Sequence, residues 1–160
     1  MASERMKEIE EAFDWEDPYD VILALVHLTV ERCEAAGLPY SSLSQGEKTA
    51  LHVNWFDSEI ANGGLHQLFT NSTGDYWPEI LQSLGAVGAT STVALFERAL
   101  SVFPDNRPSV DRMDRCGQLE DAGGNARDTL HLLSREYYEQ DEYLYTLAVE
   151  YLKTRKSDFL

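Results

Sequence analysis

The residues able to do chemistry are densest between Ser58 and Gly74. Glu59, Asn62, Gly63, Gly64, Gln67 and Asn71 follow the spacing Glu-x-x-Asn-Gly-Gly-x-x-Gln-x-x-x-Asn. Paired glycines permit a left-handed or strained backbone, and Asn tolerates one. Asn62-Gly63-Gly64 therefore predicts a tight corner between two helices, with at least one glycine at positive φ. Such a corner makes Gly63→Val destabilising by more than ~1 kcal/mol, because Val fits a positive φ poorly. Glu59 lies one turn before the corner, placed to accept from the orphan N–H groups that open the next helix. Gln67 and Asn71 stand four residues apart, so both amides face one side. Two uses fit this cluster: a hydrogen-bonded corner tying three helices together, or a polar pocket for a small ligand or peptide.

Other constellations are weaker. The histidines are His27, His52, His66 and His131, and none forms the H-E-x-x-H pair that sets two imidazoles on one helical face. His52, Glu59 and His66 are spaced by seven, but the glycine corner interrupts the helix between the last two. The residue pattern predicts neither a metal site nor a bound cofactor. Cys33 and Cys116 lack a local nucleophile signature. Ser72-Thr73-Gly74 lacks the first glycine of a nucleophile elbow. Gly85-Ala86-Val87-Gly88 lacks the lysine of a phosphate-binding loop. Asp57 and Glu59 sit two apart and cannot share a helical face. No general acid–base pair assembles, and the expectation is a protein that is not an enzyme.

The elements positioning these residues read as helices almost throughout. Residues 4–13 are good helix formers. Asp17 and Pro18 fit the N-cap and first turn of a second helix, which Gly37 and Pro39 end near Ala36. Ser44 with Glu47 three residues on is a capping box opening a third. It carries Leu51, Trp55, Phe56 and Ile60 and stops at the corner, and a short helix covers about 64–70. Asp75 opens the next, with Pro78 in its first turn and Gly85 as its stop. Thr90 to Phe103 keeps helical period and Pro104 closes it. The stretch 104–125 is irregular, with a short helix around Val110 to Leu119 weakened by Gly117. Two closing helices start near Ala126 and near Leu144. The expected fold is all-α: one domain of about eight helices over 1–160. It divides into an acidic N-terminal helix (1–17), a core holding the corner (18–105), and an irregular segment with closing helices (106–160).

Charge sets the partners. Among 160 residues, Asp and Glu number 28 against 13 Lys and Arg, a net of −15. Positions 1–50 hold 11 acids and 4 bases, 51–105 hold 6 and 1, and 106–160 hold 11 and 8. The bias therefore grades down from the N-terminus. This charge repels phosphate backbones and anionic lipid, which argues against direct nucleic-acid or membrane binding and in favour of a basic protein partner. A homodimer is left open. Two cysteines are too few for a disulfide scaffold. The N-terminal residues lack the apolar core of a signal peptide, and Val21 to Val30 falls short of the ~20 residues a bilayer span needs. The cytoplasm is the expected compartment.

The central spacing Glu59-x-x-Asn62-Gly63-Gly64-x-x-Gln67-x-x-x-Asn71 precedes an aromatic-rich turn and then Leu84-Gly85-Ala86-Val87-Gly88-Ala89. Together they resemble the bacterial family of DNA mimic protein 19 and its uncharacterised relatives. The resemblance covers roughly Leu51 to Phe103, with a weaker extension through Tyr137-Tyr138, Tyr151-Leu152 and Phe159. The usual motif has an aromatic after Gly-Gly. Leu65 departs from that, as does Leu68 before Phe69, both as conservative core changes. The resemblance implies an all-α fold without known catalysis. In the family's named member it implies an acidic surface that imitates duplex DNA toward a transcription factor.

Mimicry needs surface carboxylates, which the motif does not supply. Glu8, Glu10, Glu11, Asp14, Glu16, Asp17 and Asp20 run without an intervening base, and Glu136, Glu139, Asp141 and Glu142 form a second run. Duplex DNA carries one charge per ~1.7 Å of axis. A helix rises ~1.5 Å per residue, so a carboxylate-dense face approaches that density. Charge runs also serve as solvated faces that aid solubility. The expected function is an acidic interaction protein, a DNA mimic that binds a basic DNA-binding protein or regulator. The alternatives are a ligand- or peptide-binding protein using the corner, and an immunity-type inhibitor of a basic toxin.

Overall fold

The computed structural model describes residues 2–160, and among them eight α-helices and no strand. The helices are α1 Ala2–Phe13, α2 Pro18–Ala36, α3 Gln45–Thr70, α4 Trp77–Ala86, α5 Thr90–Leu100, α6 Arg112–Ala122, α7 Gly124–Glu139 and α8 Leu144–Lys153. Short 3₁₀ turns cover Tyr40–Ser42, Ser72–Tyr76, Pro104–Asn106 and Lys156–Phe159.

Local signals set several ends. Asp17 Oδ1 accepts from the Tyr19 N–H at 2.9 Å, and Gly37 closes α2 in the left-handed conformation. At α3 the Ser44 hydroxyl accepts from the Glu47 N–H (3.1 Å) while the Glu47 carboxylate accepts from the Ser44 N–H (2.9 Å), completing the capping box. Glu47 is buried, and Arg32 of α2 meets it with two hydrogen bonds of 2.9 and 2.6 Å. A bidentate guanidinium at this depth supplies the partner that a buried carboxylate requires.

Several ends differ from the sequence reading: the first helix stops at Phe13 rather than at 17, and α5 stops at Leu100 rather than at Phe103. Asp75 does not open α4; it sits in the preceding 3₁₀ turn, and the helix starts at Trp77 with Pro78 in its first turn. Helix α4 passes Gly85 and ends at Ala86, and Gly88 takes the positive φ. Helix α6 likewise passes Gly117 and runs to Ala122.

Helix α3 is the axle. It packs against α2, α4, α6, α7 and α8, which explains why Ala50, Val53, Phe56, Ile60, Leu65, Leu68 and Phe69 are buried around more than one side. Aromatic rings fill the centre: Phe56 meets Phe96 edge-on at 5.2 Å and Tyr137 at 5.6 Å, and Phe69 meets Phe103 at 4.8 Å. Such pairs add ~0.5–1.5 kcal/mol each beyond their area. Helix α1 is anchored rather than trailing. Ile9, Ala12 and Phe13 are buried, Phe13 packs on Phe159, and Arg5 Nε donates to the Phe159 carbonyl at 2.7 Å. No described helix is long and apolar enough to cross a membrane.

Candidate functional site

The corner is a kink within α3. Gly64 has φ 78° and ψ −174°, a region open essentially to glycine alone, and the chain resumes as helix at Leu65. Gly63 is helical, so its expected positive φ is not found; the position is small for another reason. A Cβ there would lie 2.8 Å from Cβ and Cδ of Gln67, so bare backbone is what lets Gln67 fold back toward Glu59. At Gly64 a Cβ would also stand 2.7 Å from Ser134 Oγ.

Glu59 is the hub. Its Oε2 accepts from Gln67 Nε2 (2.8 Å) and Asn71 Nδ2 (3.0 Å), and its Oε1 accepts from Thr73 Oγ1 (2.6 Å). These are side-chain donors, not the backbone N–H groups expected from the sequence. The orphan N–H after the kink, that of Leu65, goes to Ser134 Oγ on α7 at 2.9 Å, and Ser134 in turn donates to the Leu130 carbonyl at 2.7 Å. Glu59, Gln67 and Asn71 are thus brought together, whereas Asn62 is exposed and faces a cleft with Gly63 and Gly64. Asp57 points elsewhere, as its spacing requires, and accepts from the hydroxyls of Tyr137 (2.8 Å) and Tyr145 (3.0 Å). Burial first, and the Asp57 charge second, push both phenols well above the usual tyrosine range.

The C-terminal end of α3 is fastened by a residue that the sequence reading left out. Arg115, on α6, is fully buried. Its Nε donates to the Phe69 carbonyl (2.6 Å), Nη1 to the Ser109 and Val110 carbonyls (2.8 and 3.2 Å), and Nη2 to the Asn71 carbonyl and Asp75 Oδ1 (both 2.8 Å). All five N–H groups of the guanidinium have partners. The side chain ties α3, the 3₁₀ turn and α6 into one block. No local pattern marks it, since three of its acceptors lie forty or more residues away in sequence.

His52 is buried between the Tyr40 hydroxyl, 2.6 Å from Nε2, and the Ser83 hydroxyl, 2.7 Å from Nδ1. Burial, with the Lys48 charge behind it, pushes His52 down to about 4, while burial and Glu79 push Tyr40 up to about 12. The imidazole is therefore neutral at pH 7. The Ser–His contact has the reach of a nucleophile–base pair, but Ser83 is only 1% exposed. Among the described residues no group of three or more His, Cys, Asp or Glu could hold a metal ion.

The two acidic runs differ in how their carboxylates are occupied. Glu8, Glu10, Glu11, Asp14, Glu16, Asp17 and Asp20 are all exposed. Of these, Glu11 has Lys7 at 3.5 Å and Asp17 caps α2. In the second run Glu142 accepts from the Ser91 N–H (2.9 Å) and the Thr92 N–H (2.8 Å), capping α5 from a distance, and Glu136 pairs with Arg98. Glu139 and Asp141 are exposed. The carboxylates of the first run are presented to solvent, and half of the second run is fastening between helices.

No curated protein and no solved structure matches the chain. Residues 41–155 match the model of the family described as DMP19-like protein. That span begins at the 3₁₀ turn before α3, contains the kink, the Glu59 hub and Arg115, and ends just past α8. It covers more than two thirds of the sequence, and the chain belongs to the DMP19-like protein family.

Proposed function

We propose that this chain is a non-enzymatic, acidic interaction protein of the cytoplasm. Its N-terminal face binds a basic DNA-binding protein in competition with nucleic acid. The observation that carries the reading is the exposure of all seven carboxylates between Glu8 and Asp20. The seven stand on α1, on the connection 14–17 and on the start of α2, not on one continuous helix, and one of them has a cation within 4.0 Å among the described residues. Trp15 stands in the middle of the run, 54% exposed, beside a shallow groove lined by Glu8, Glu11 and Glu31. An exposed indole ringed by carboxylates suits a lysine or arginine side chain, which gains an ion pair and a cation–π contact together. The corner favours the alternative less, because Glu59, Gln67 and Asn71 already satisfy one another.

The test is competition. The protein is titrated into a complex of its basic partner with DNA, and released DNA is followed across a salt series. Exposed charges lose long-range attraction as the Debye length falls from ~10 Å at 0.1 M salt to ~3 Å at 1 M. Converting Glu8, Glu11, Asp14, Glu16 and Asp17 to amides is expected to weaken release while the melting temperature stays level or rises slightly, since self-repulsion falls and Asn remains a good N-cap at 17. Capture of the partner without release of DNA assigns the same face to an inhibitor of a basic toxin. Binding indifferent to both salt and the amide changes rejects the reading.

A further inference from the structure

A cleft of about 380 Å³ runs along the outer side of the kink, between α3 and α7. Its lining includes Asn62 and His66 from α3 and Arg127, His131, Arg135 and Tyr138 from α7, and no Asp or Glu. On a chain with more than twice as many acids as bases, this reverses the prevailing charge. The α7 residues fall at i, i+4, i+8 and i+11, one face of the helix. Neither Arg127 nor Arg135 makes a side-chain hydrogen bond or an ion pair among the described residues; the ion pairs use other cations. A second cleft of about 350 Å³ continues from His66 and Arg127 toward Thr70 and Cys116, with Glu120 its one carboxylate.

The groove is rigid where it matters. Ser134, on the same α7, is buried and hydrogen-bonded to the Leu65 N–H just past the kink, which fixes α7 against α3. Burial and the Arg127 charge hold His66 below its ordinary range, so it offers a neutral hydrogen-bonding ring while the arginines supply charge. Guanidinium forks match carboxylate and phosphate oxygens in pairs. Tyr138 is 62% exposed and braced edge-on by Tyr137 at 5.3 Å, which leaves a face for a flat ring.

We propose that this cleft binds a small organic anion, a phosphate or carboxylate borne beside an aromatic ring, with Arg127 and Arg135 gripping the anionic group and Tyr138 stacking on the ring. The site lies apart from the acidic N-terminal residues, and its success or failure is independent of that face. Adenosine monophosphate serves as probe, with adenosine and inorganic phosphate as its two halves, titrated into the full chain and followed by amide and arginine Nε NMR signals. The expected result is saturable binding of the monophosphate, tighter than either half, with shifts confined to residues 60–66 and 127–138. A charge-assisted hydrogen bond lost is worth roughly tenfold in affinity, so Arg127→Gln and Arg135→Gln are each expected to weaken binding about tenfold. Both side chains are exposed, so the variants keep the fold. Arg98→Gln, on α5, is the control and leaves affinity unchanged. The proposal is overturned by the absence of saturation up to roughly 10 mM, tenfold above a weak Kd of ~1 mM. Binding that survives both arginine changes, or shifts mapping to another surface, overturns it equally.

Discussion

Arg115 offers the sharpest test of what holds the corner in place. Its guanidinium delivers five N–H groups to Phe69, Asn71, Ser109, Val110 and Asp75 from a fully buried position. Lysine keeps the charge but has three donors, so at least two acceptors in Arg115→Lys lose their bond. Each buried polar group left without a partner costs ~1–3 kcal/mol, which places the loss at ~2–6 kcal/mol. At ~2–4 °C per kcal/mol for a chain of this size, the melting temperature falls by roughly 10 °C. Arg115→Met removes all five donors and leaves Asp75 unpaired, and is expected to cost more than the lysine variant. Most of these bonds end on backbone carbonyls rather than on a charged partner, so the cost is expected to change little between low and high salt. The exposed Arg98–Glu136 pair gives the contrast: both side chains are about half exposed, and Arg98→Gln is expected to cost below ~1 kcal/mol. Urea melts of the three variants at two salt concentrations measure this. An Arg115→Lys protein within ~0.5 kcal/mol of wild type, or one whose deficit vanishes in salt, would refute the buried-fastener account.

Four more outcomes follow from the corner and from His52. Glu59→Ala strands the Gln67 and Asn71 amides and is expected to lower stability by ~2–4 kcal/mol, whereas Glu59→Gln keeps an acceptor and loses less; equal melting of the two would mean that Glu59 is not the hub. Gly64→Ala combines a φ of 78° with a Cβ pressed on Ser134 and is expected to cost ~2–4 kcal/mol by thermal melting. Gly63→Ala acts by displacing Gln67, so its cost is expected to shrink once Glu59 is already Ala, which a double-mutant cycle reads directly. His52 is neutral and pushed down to about 4 in the fold against 6.5 when unfolded. The unfolded chain therefore binds the extra proton between those pH values. The stabilisation is complete above about pH 6.5 and is lost as pH falls toward 4, at most ~3 kcal/mol in all. Urea midpoints across that range are expected to fall less steeply in His52→Gln than in wild type.

The helices and several caps were legible because their signals are local. Asp17-Pro18, Gly37 and the Ser44–Glu47 box act within four residues of themselves, and each end formed as its sequence indicates. The corner was legible as a break at Asn62-Gly63-Gly64, but its internal division was not. Which glycine takes the positive φ depends on Ser134, seventy residues on, and the demand on Gly63 comes from a side chain that must fold back over it. The same limit hid Arg115 and recast Glu142. An arginine in an irregular stretch, or a glutamate in an acidic run, reads as solvated until the fold shows which carbonyls or N–H groups it meets.

That distinction also bears on how charge is read in this chain. A run of acids says nothing about use until each carboxylate is assigned a partner or water. Glu47, Glu59, Asp57 and Glu142 all have partners inside the protein, and they lie outside the N-terminal run. The seven carboxylates between Glu8 and Asp20 all face solvent; Glu8, Glu10 and Glu11 stand on α1, which Arg5 and Phe13 pin, and Asp17 and Asp20 stand at the capped start of α2, so the segment is held at both ends. A fixed array lowers the ordering cost of binding. The cationic groove beside the kink stands out against the same background, since two arginines without carboxylate partners are least expected where acids are in excess. Both surfaces are thus defined by the same comparison: apart from Asp17 at its cap and Glu11 beside Lys7, they gather charges that the fold does not use to hold itself together.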